Sequence, residues 1–282
     1  MTSKVIISAA LTGVLANREQ CPYIPYTPDE IGEEARRAYE AGAAIVHIHA
    51  REDDGSPSFR PERYQEIVAA VKARCPVIIN LSTGAVGLTK EERVAHIPVC
   101  RPEIAALNMG SMNYAIYSER RKRFLYDFVF QNAFYDIGHF VSVMRENGVR
   151  PELECFDRGH IANVAPLVDQ GALEEPLQFS LIMGVLGGIP ATVTDLINQA
   201  AAVPEGSFWQ VVGIGQAQWA MVAAGLAMGG HVRVGLEDNF YLAPGEMATS
   251  NGGLVAKAAR MARDVGREPA SVSEARALLR LA

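Results

Sequence analysis

The segment AAIVHIHARED, residues 43–53, decides how this chain is read. An unbroken apolar run, Ala43-Ala44-Ile45-Val46, leads into His47-Ile48-His49-Ala50-Arg51 and then the acidic pair Glu52-Asp53. A short apolar run bounded by polar residues reads as a strand buried on both faces, as parallel sheets require. Side chains alternate along a strand, so Ile45, His47, His49 and Arg51 share one face and Val46 and Ile48 take the other. Imidazoles and a guanidinium at the end of a buried strand are costly unless something binds them.

The same apolar runs recur on both sides, alternating with helical patterns. Residues 5–11 form a first strand, and Thr27-Pro28-Asp29-Glu30 supplies an N-cap, a proline at the first helical turn and a capping-box glutamate. Ile31, Ala35, Ala38 and Tyr39 follow at helical spacing, and Gly42 ends that helix ahead of the histidine strand. Further strands are expected near 77–81, 104–108, 152–156, 177–183, 208–213 and 231–235. Helices are expected at 61–73, 89–95, 136–147, 161–169, 192–201, 216–228 and 253–265. Residues 114–135 read as irregular or partly helical. Eight strand–helix units with no break in composition predict a single (β/α)8 barrel domain, a TIM barrel, over residues 1–282. An open doubly wound sheet is the alternative, but it has no need of eight such repeats. In a barrel the polar residues just after each strand converge on one mouth.

Composition narrows the function classes. Of 282 residues 49% are hydrophobic and 21% charged, which suits an ordinary globular protein with a sizeable core. The net charge of −6 argues against nucleic acid or an anionic membrane as the main partner. No apolar run approaches the length of a membrane span, and Met1 to Lys4 carry no charged-then-apolar leader. Cys21, Cys75, Cys100 and Cys155 are scattered without a C-x-x-C pair, so a reduced cytoplasmic setting is expected.

Two inward imidazoles spaced ~7 Å along a strand can converge on one metal ion. The alternative is that each is a satisfied core histidine. A third ligand belongs on a neighbouring strand, and barrel closure brings the last strand beside the first. There Arg233, Gly235 and Glu237 share one parity, so Glu237 emerges at the mouth across the first strand from His47 and His49. A two-histidine, one-glutamate set leaves a coordination position open, as catalytic zinc sites do. The competing reading of Glu237-Asp238 is a solvated turn. Ser82-Thr83-Gly84 offers small hydroxyls and free N–H groups that suit a carboxylate, or forms an ordinary strand-to-helix turn. Asn108 and Glu154 sit at the ends of their strands and can line the mouth. Gly213-Ile214-Gly215 is either a phosphate turn or tight packing at a helix start.

The combination HIHAREDDG (47–55) and GGHVRVGLEDN (229–239), with PYTPDEI (25–31), STG (82–84), NMGSMN (108–113) and PELECFD (151–157), resembles the β-keto acid cleavage enzymes. These motifs run in one order along nearly the whole chain. The resemblance implies a zinc-dependent barrel enzyme, forming a homotetramer, that takes a β-keto acid and acetyl-CoA to acetoacetate and a new acyl-CoA. It implies that His47, His49 and Glu237 hold Zn2+, that Ser82, Thr83 and Gly84 hold the substrate carboxylate, and that Arg233 and Asp238 serve proton transfer and charge stabilisation. One departure stands out. Members acting on an amino-substituted β-keto acid carry a glutamate after the first strand, where Leu15 stands here, and a hydroxyl where Ala106 stands here. An ammonium beside leucine loses hydration without gaining a counter-charge, so a neutral, largely apolar substrate is expected. The competing activities are a metal-dependent barrel hydrolase, a metal aldolase that does not use CoA, and a non-catalytic barrel with a structural zinc. The hydrolase reading is weakened by the absence of histidine in 178–183.

Overall fold

The computed structural model describes residues 3–281, so part of the leader-free start read at Met1 to Lys4 lies outside the described residues. Eight parallel strands close a barrel: β1 (Ile7–Ala10), β2 (Ile45–Ile48), β3 (Ile78–Leu81), β4 (Ile104–Asn108), β5 (Arg150–Cys155), β6 (Gln178–Met183), β7 (Phe208–Gly213) and β8 (His231–Val234). Each pairs with its sequence neighbours, and β8 pairs with β1 through Val232–Ile7 and Arg233–Ser8. The barrel expected from the strand–helix count is therefore present, and β2 sits where the histidine segment placed it.

The local signals act as their chemistry requires. Thr27 caps the helix Pro28–Ala41 in a reciprocal box with Glu30, and Gly42 ends it at φ 114°. Thr192 caps Val193–Ala200 by accepting from the Asp195 N–H. All four cysteines are free thiols. Among the described residues, no helix is long and apolar enough to cross a membrane.

The strand period sorts the side chains into layers. Val46 and Ile48 join the main core between barrel and helices. Ile45 faces inward and joins Ile6, Ile78 and Ile104 in an apolar floor, which the C-terminal helix Val272–Leu279 plugs with Ala275 and Leu279. Above this floor the interior turns polar, where barrels ordinarily stack branched aliphatics. Ser8 donates to Gln210 (2.8 Å), Gln210 to Ser180 (2.8 Å) and Gln178 to Glu152 (3.0 Å). Glu152 is fully buried, and burial raises its pKa above the usual carboxylate range.

Two expectations differ from the structure. Residues 114–135 contain an antiparallel hairpin, Met112–Ser118 with Arg123–Phe130, and no helix before Phe134. Its aromatic residues suit either state by spacing, and the cross-strand partner that decides between them is set by the fold. The segment expected as one helix at 161–169 is divided into Arg158–Ala162 and Val164–Asp169.

His231, at the start of β8, accepts the Ile6 N–H on Nδ1 at 3.0 Å, and burial lowers its pKa to about 4. The unfolded chain takes up this proton near pH 6.5 and the folded chain only near pH 4, so stability falls as pH drops through that window. Above pH 6.5 the contribution is fully present. His231→Asn, which keeps an acceptor and removes the titration, should flatten the acid loss of stability by about 2 kcal/mol or more. Urea midpoints measured at pH 7 and pH 4.5 for both proteins test this, and parallel pH dependence would refute it.

Candidate active site

The strand ends bring the expected residues together. His47 is buried on β2 and His49 lies half-buried just beyond it. The Nε2 atoms of His47 and His49 approach Glu237 Oε1 at 3.6 and 3.5 Å. Ligand atoms of all three residues lie within 4.8 Å of one another. Burial holds the His47 pKa well below its ordinary value, so its ring stays neutral and can offer a lone pair.

The backbone around these side chains is fixed. Thr12 Oγ1 donates to the His49 carbonyl (2.7 Å) and accepts from its N–H (2.9 Å). The Gly13 N–H donates to Glu237 Oε2 (3.1 Å). β8 ends at Val234, so Glu237 arrives on a turn and not by continued strand alternation. That turn begins at Gly235, with φ 148°, where a Cβ would stand 2.1 Å from the Ala10 carbonyl oxygen. Only glycine fits there. The Glu237 N–H then donates to the Ala10 carbonyl (3.1 Å), which ties the turn to β1.

Arg51 has a loop-fixing role. Its guanidinium is buried and donates to the carbonyls of Gly13, Thr12, Ala16 and Gly55. Glu52 pairs with Arg60, and Asp53 pairs with Arg63.

Arg233 joins the acids of the mouth. It donates to both Asp238 oxygens (3.0 and 2.9 Å), to Glu237 Oε1 (2.6 Å) and to Glu154 Oε1 (3.3 Å). Burial opposes its charge, but Asp238, Glu237 and Glu154 outweigh burial and hold its pKa well above the ordinary value. Burial raises the Asp238 pKa to about 6 against the pull of Arg233. Burial raises Glu154 further, to about 8, which favours a neutral acid at pH 7. Glu237 goes the other way: Arg233 overcomes burial and holds it well below the carboxylate range.

These directions choose between two possible ion sites. His47 also lies within reach of Glu152 and Glu154. A protonated carboxyl is a poor ligand, and Glu154 is already engaged by Arg233. His47, His49 and Glu237 pair two imidazole nitrogens with an ionised carboxylate, the donor set that suits Zn2+. Asn80 sits opposite His47 on β3 and its side chain bears on the imidazole, while Nε2 of that ring faces Glu237.

A second group lies at the ends of β3 and β4. Ser82 Oγ accepts the Gly84 N–H at 3.1 Å, which leaves its own proton for a ligand. A Cβ on Gly84 would meet Ser82 Oγ at 3.4 Å and Asn108 Nδ2 at 3.6 Å, so these three residues frame one small space. Asn108 Oδ1 has no partner. Thr83 differs from its neighbours, since its hydroxyl is committed to the Ala106 carbonyl at 2.6 Å. Ala106 is fully buried in the β4 wall, and Leu15 is half-buried in the loop after β1. Gly213 packs against the following helix, where a Cβ would lie 2.7 Å from Gln218 Cα, so tight packing accounts for that turn.

Sequence reading passed over Glu152, Asn80 and the aromatic roof of the site. Glu152 and Glu154 alternate in an otherwise apolar strand, the same signal that exposed the histidines. The roof is Tyr114, Phe128, Phe130 and Phe156, with Tyr114 and Phe128 stacked at 5.3 Å. Burial and the nearby Glu237 and Asp238 raise the Tyr114 pKa to about 12.

Two substitutions separate ligand from scaffold. Glu237→Gln should abolish stoichiometric zinc retention while the circular dichroism spectrum stays unchanged, and wild-type zinc content by metal analysis would remove Glu237 from the ligand set. Arg233→Met leaves buried carboxylates without their cation, and should destabilise the fold by about 3 kcal/mol or more. A melting temperature unchanged from wild type would show that the cluster does not depend on it.

A family model described as beta-keto acid cleavage enzyme matches residues 4–281. The 3-keto-5-aminohexanoate cleavage enzyme of Fusobacterium nucleatum subsp. nucleatum is 42% identical over 283 residues, spanning 100% of this chain and 99% of that protein. The 3,5-dioxohexanoate:acetyl-CoA acetone transferase of Paraburkholderia graminis is 37% identical, spanning 99% of this chain and 96% of that one. The solved apo structure of ObcA superposes with a TM-score of 0.77 over 92% of this chain and 66% of that chain, at 23% identity, which is a likeness of fold. With the whole chain matched in both ways, the protein belongs to the β-keto acid cleavage enzyme family and is an enzyme.

Proposed function

We infer that the enzyme is zinc-dependent and converts a neutral, largely apolar β-keto acid and acetyl-CoA into acetoacetate and a new acyl-CoA. The observation that carries this reading is the convergence of both imidazole Nε2 atoms on Glu237, one hydrogen bond away from the Arg233–Asp238 pair. Zinc held by His47, His49 and Glu237 supplies Lewis acidity toward the keto group and carboxylate.

The remaining steps rest on the chain's own residues. The Ser82 hydroxyl and the Asn108 amide suit the substrate carboxylate, and Thr83 and Gly84 shape the turn that presents Ser82. Asp238 takes a proton from the substrate carbon between carboxylate and ketone. With a pKa near 6 it is ionised at neutral pH yet basic enough to work, the range general bases need. Arg233 grips both Asp238 oxygens and fixes its orientation. The carbanion attacks the acetyl carbonyl, forming a carbon–carbon bond and releasing CoA thiolate. The thiolate then adds to the original ketone, and the old carbon–carbon bond breaks. The acyl group leaves on CoA, and the acetoacetate carbanion regains its proton from Asp238.

The loop 11–17 holds no acid, and Leu15 occupies its centre, which favours a neutral acyl group. The 42% identity to an enzyme named for an amino-substituted substrate makes this a direct contrast for experiment. The family match over residues 4–281 supports one barrel domain, and the free thiols fit a cytoplasmic setting. A homotetramer is the assembly that the resemblance implies, and exposed Phe134, Tyr135, Val193 and Ile197 are available for it.

A panel of β-keto acids assayed with and without acetyl-CoA, read by mass spectrometry of acyl-CoA products, tests the reading. Apolar substrates should give acyl-CoA and acetoacetate only with acetyl-CoA. Equal cleavage without it would make the enzyme a hydrolase or aldolase, and 3-keto-5-aminohexanoate as the best substrate would overturn the role given to Leu15. Asp238→Asn should keep zinc and lower kcat by about 100-fold or more. Wild-type kcat should fall below about pH 6 as Asp238 is protonated, with a bound cation moving that limb toward lower pH.

A further inference from the structure

The hairpin Met112–Ser118/Arg123–Phe130 leaves the mouth directly after β4 and is graded in polarity along its length. Its base is sealed: Met112 and Phe130 pack with Phe156, Ile182, Val185 and Val212 at the ends of the barrel strands. Further out on the same face, Ile116 pairs with Tyr126, and these are 37% and 45% exposed. The turn Glu119-Arg120-Arg121-Lys122 and Arg123, the first residue of the returning strand, set four cations against one acid in a chain of net charge −6. Lys122 pairs with Glu119, whereas Arg120, Arg121 and Arg123 form no ion pair among the described residues. A solvated turn does not need that concentration of cations, and mutual repulsion disfavours it without an anion.

Acetyl-CoA has the same order of polarity: a reacting thioester, an uncharged pantetheine arm, and phosphates at the far end. The phosphates cannot sit in the throat, where Glu237 and Asp238 lie. The strand Met112–Ser118 reaches ~20 Å from the mouth at ~3.3 Å per residue, about the length of an extended pantetheine arm. Resting on the proposed use of acetyl-CoA, we propose that this hairpin is the CoA-binding arm: Tyr114, Ile116 and Tyr126 support pantetheine, and Arg120, Arg121 and Arg123 hold the phosphates. Arginine forks match phosphate oxygens, and an arm of this kind binds the nucleotide end without contacting the β-keto acid.

The test uses the full-length enzyme with Arg120, Arg121 and Arg123 all changed to serine, three exposed positions outside the reacting site. Calorimetric titration with CoA should weaken by about tenfold or more, since each charge-assisted bond can supply that factor. Titration with pantetheine, which has no phosphate, should be equal for variant and wild type. In turnover, KM for acetyl-CoA should rise while kcat and KM for the β-keto acid hold. Unchanged CoA affinity overturns the proposal. So does an equal loss for CoA and pantetheine accompanied by a smaller mass in sedimentation, which would make the arm a contact between copies of the chain. CoA binding needs no turnover, so a wild type that binds CoA through these arginines but cleaves no β-keto acid would refute the reaction and leave the arm standing.

Discussion

Arg233 is a guanidinium almost shut off from water that touches three carboxylates, and the mouth of the barrel is organised around it. Burying a charge is tolerable only when it is paired and hydrogen-bonded. Asp238 and Glu237 supply negative charge, and Glu154, with its pKa near 8, adds a hydrogen bond with little further charge at pH 7. The arginine in return keeps Glu237 ionised beside the histidines and lowers Asp238 from where burial alone would place it. Arg233 lowers both acids, yet Glu237 ends well below and Asp238 above the ordinary carboxylate value.

The surrounding backbone serves that arrangement. Gly235 lets the chain turn against β1, Gly13 and Thr12 anchor Glu237 and His49, and Arg51 gathers four carbonyls of the neighbouring loops. The polar layer beneath, from Ser8 through Gln210 to Ser180, departs from an aliphatic barrel interior. It separates the polar residues of the mouth from the isoleucine floor and the C-terminal plug.

The mouth is also roofed on one side. Tyr114, Phe128, Phe130 and Phe156 form an aromatic cover whose outer end is apolar and then basic. A cover of this kind excludes water from the carbanion chemistry proposed for Asp238 and leaves an entrance graded toward anionic groups.

The sequence by itself determined the strand–helix alternation and the inward face of His47 and His49. These depend on periodicities of 2 and 3.6 residues and on capping chemistry, which are local. It also marked Glu237 as a candidate partner, because strand eight of a closed barrel has only one neighbour beyond strand seven. The tertiary structure alone decided the rest. Glu237 reaches the histidines on a glycine turn and not along a strand, and Thr83 faces away to the Ala106 carbonyl while Ser82 stays free. Residues 112–130 form a hairpin because Met112 to Ser118 finds its partner across the turn and a seat on the barrel rim, contacts that no residue spacing encodes. The shifts that raise Asp238 and Glu154 and lower Glu237 arise from burial around a single arginine, and burial is a property of the folded whole.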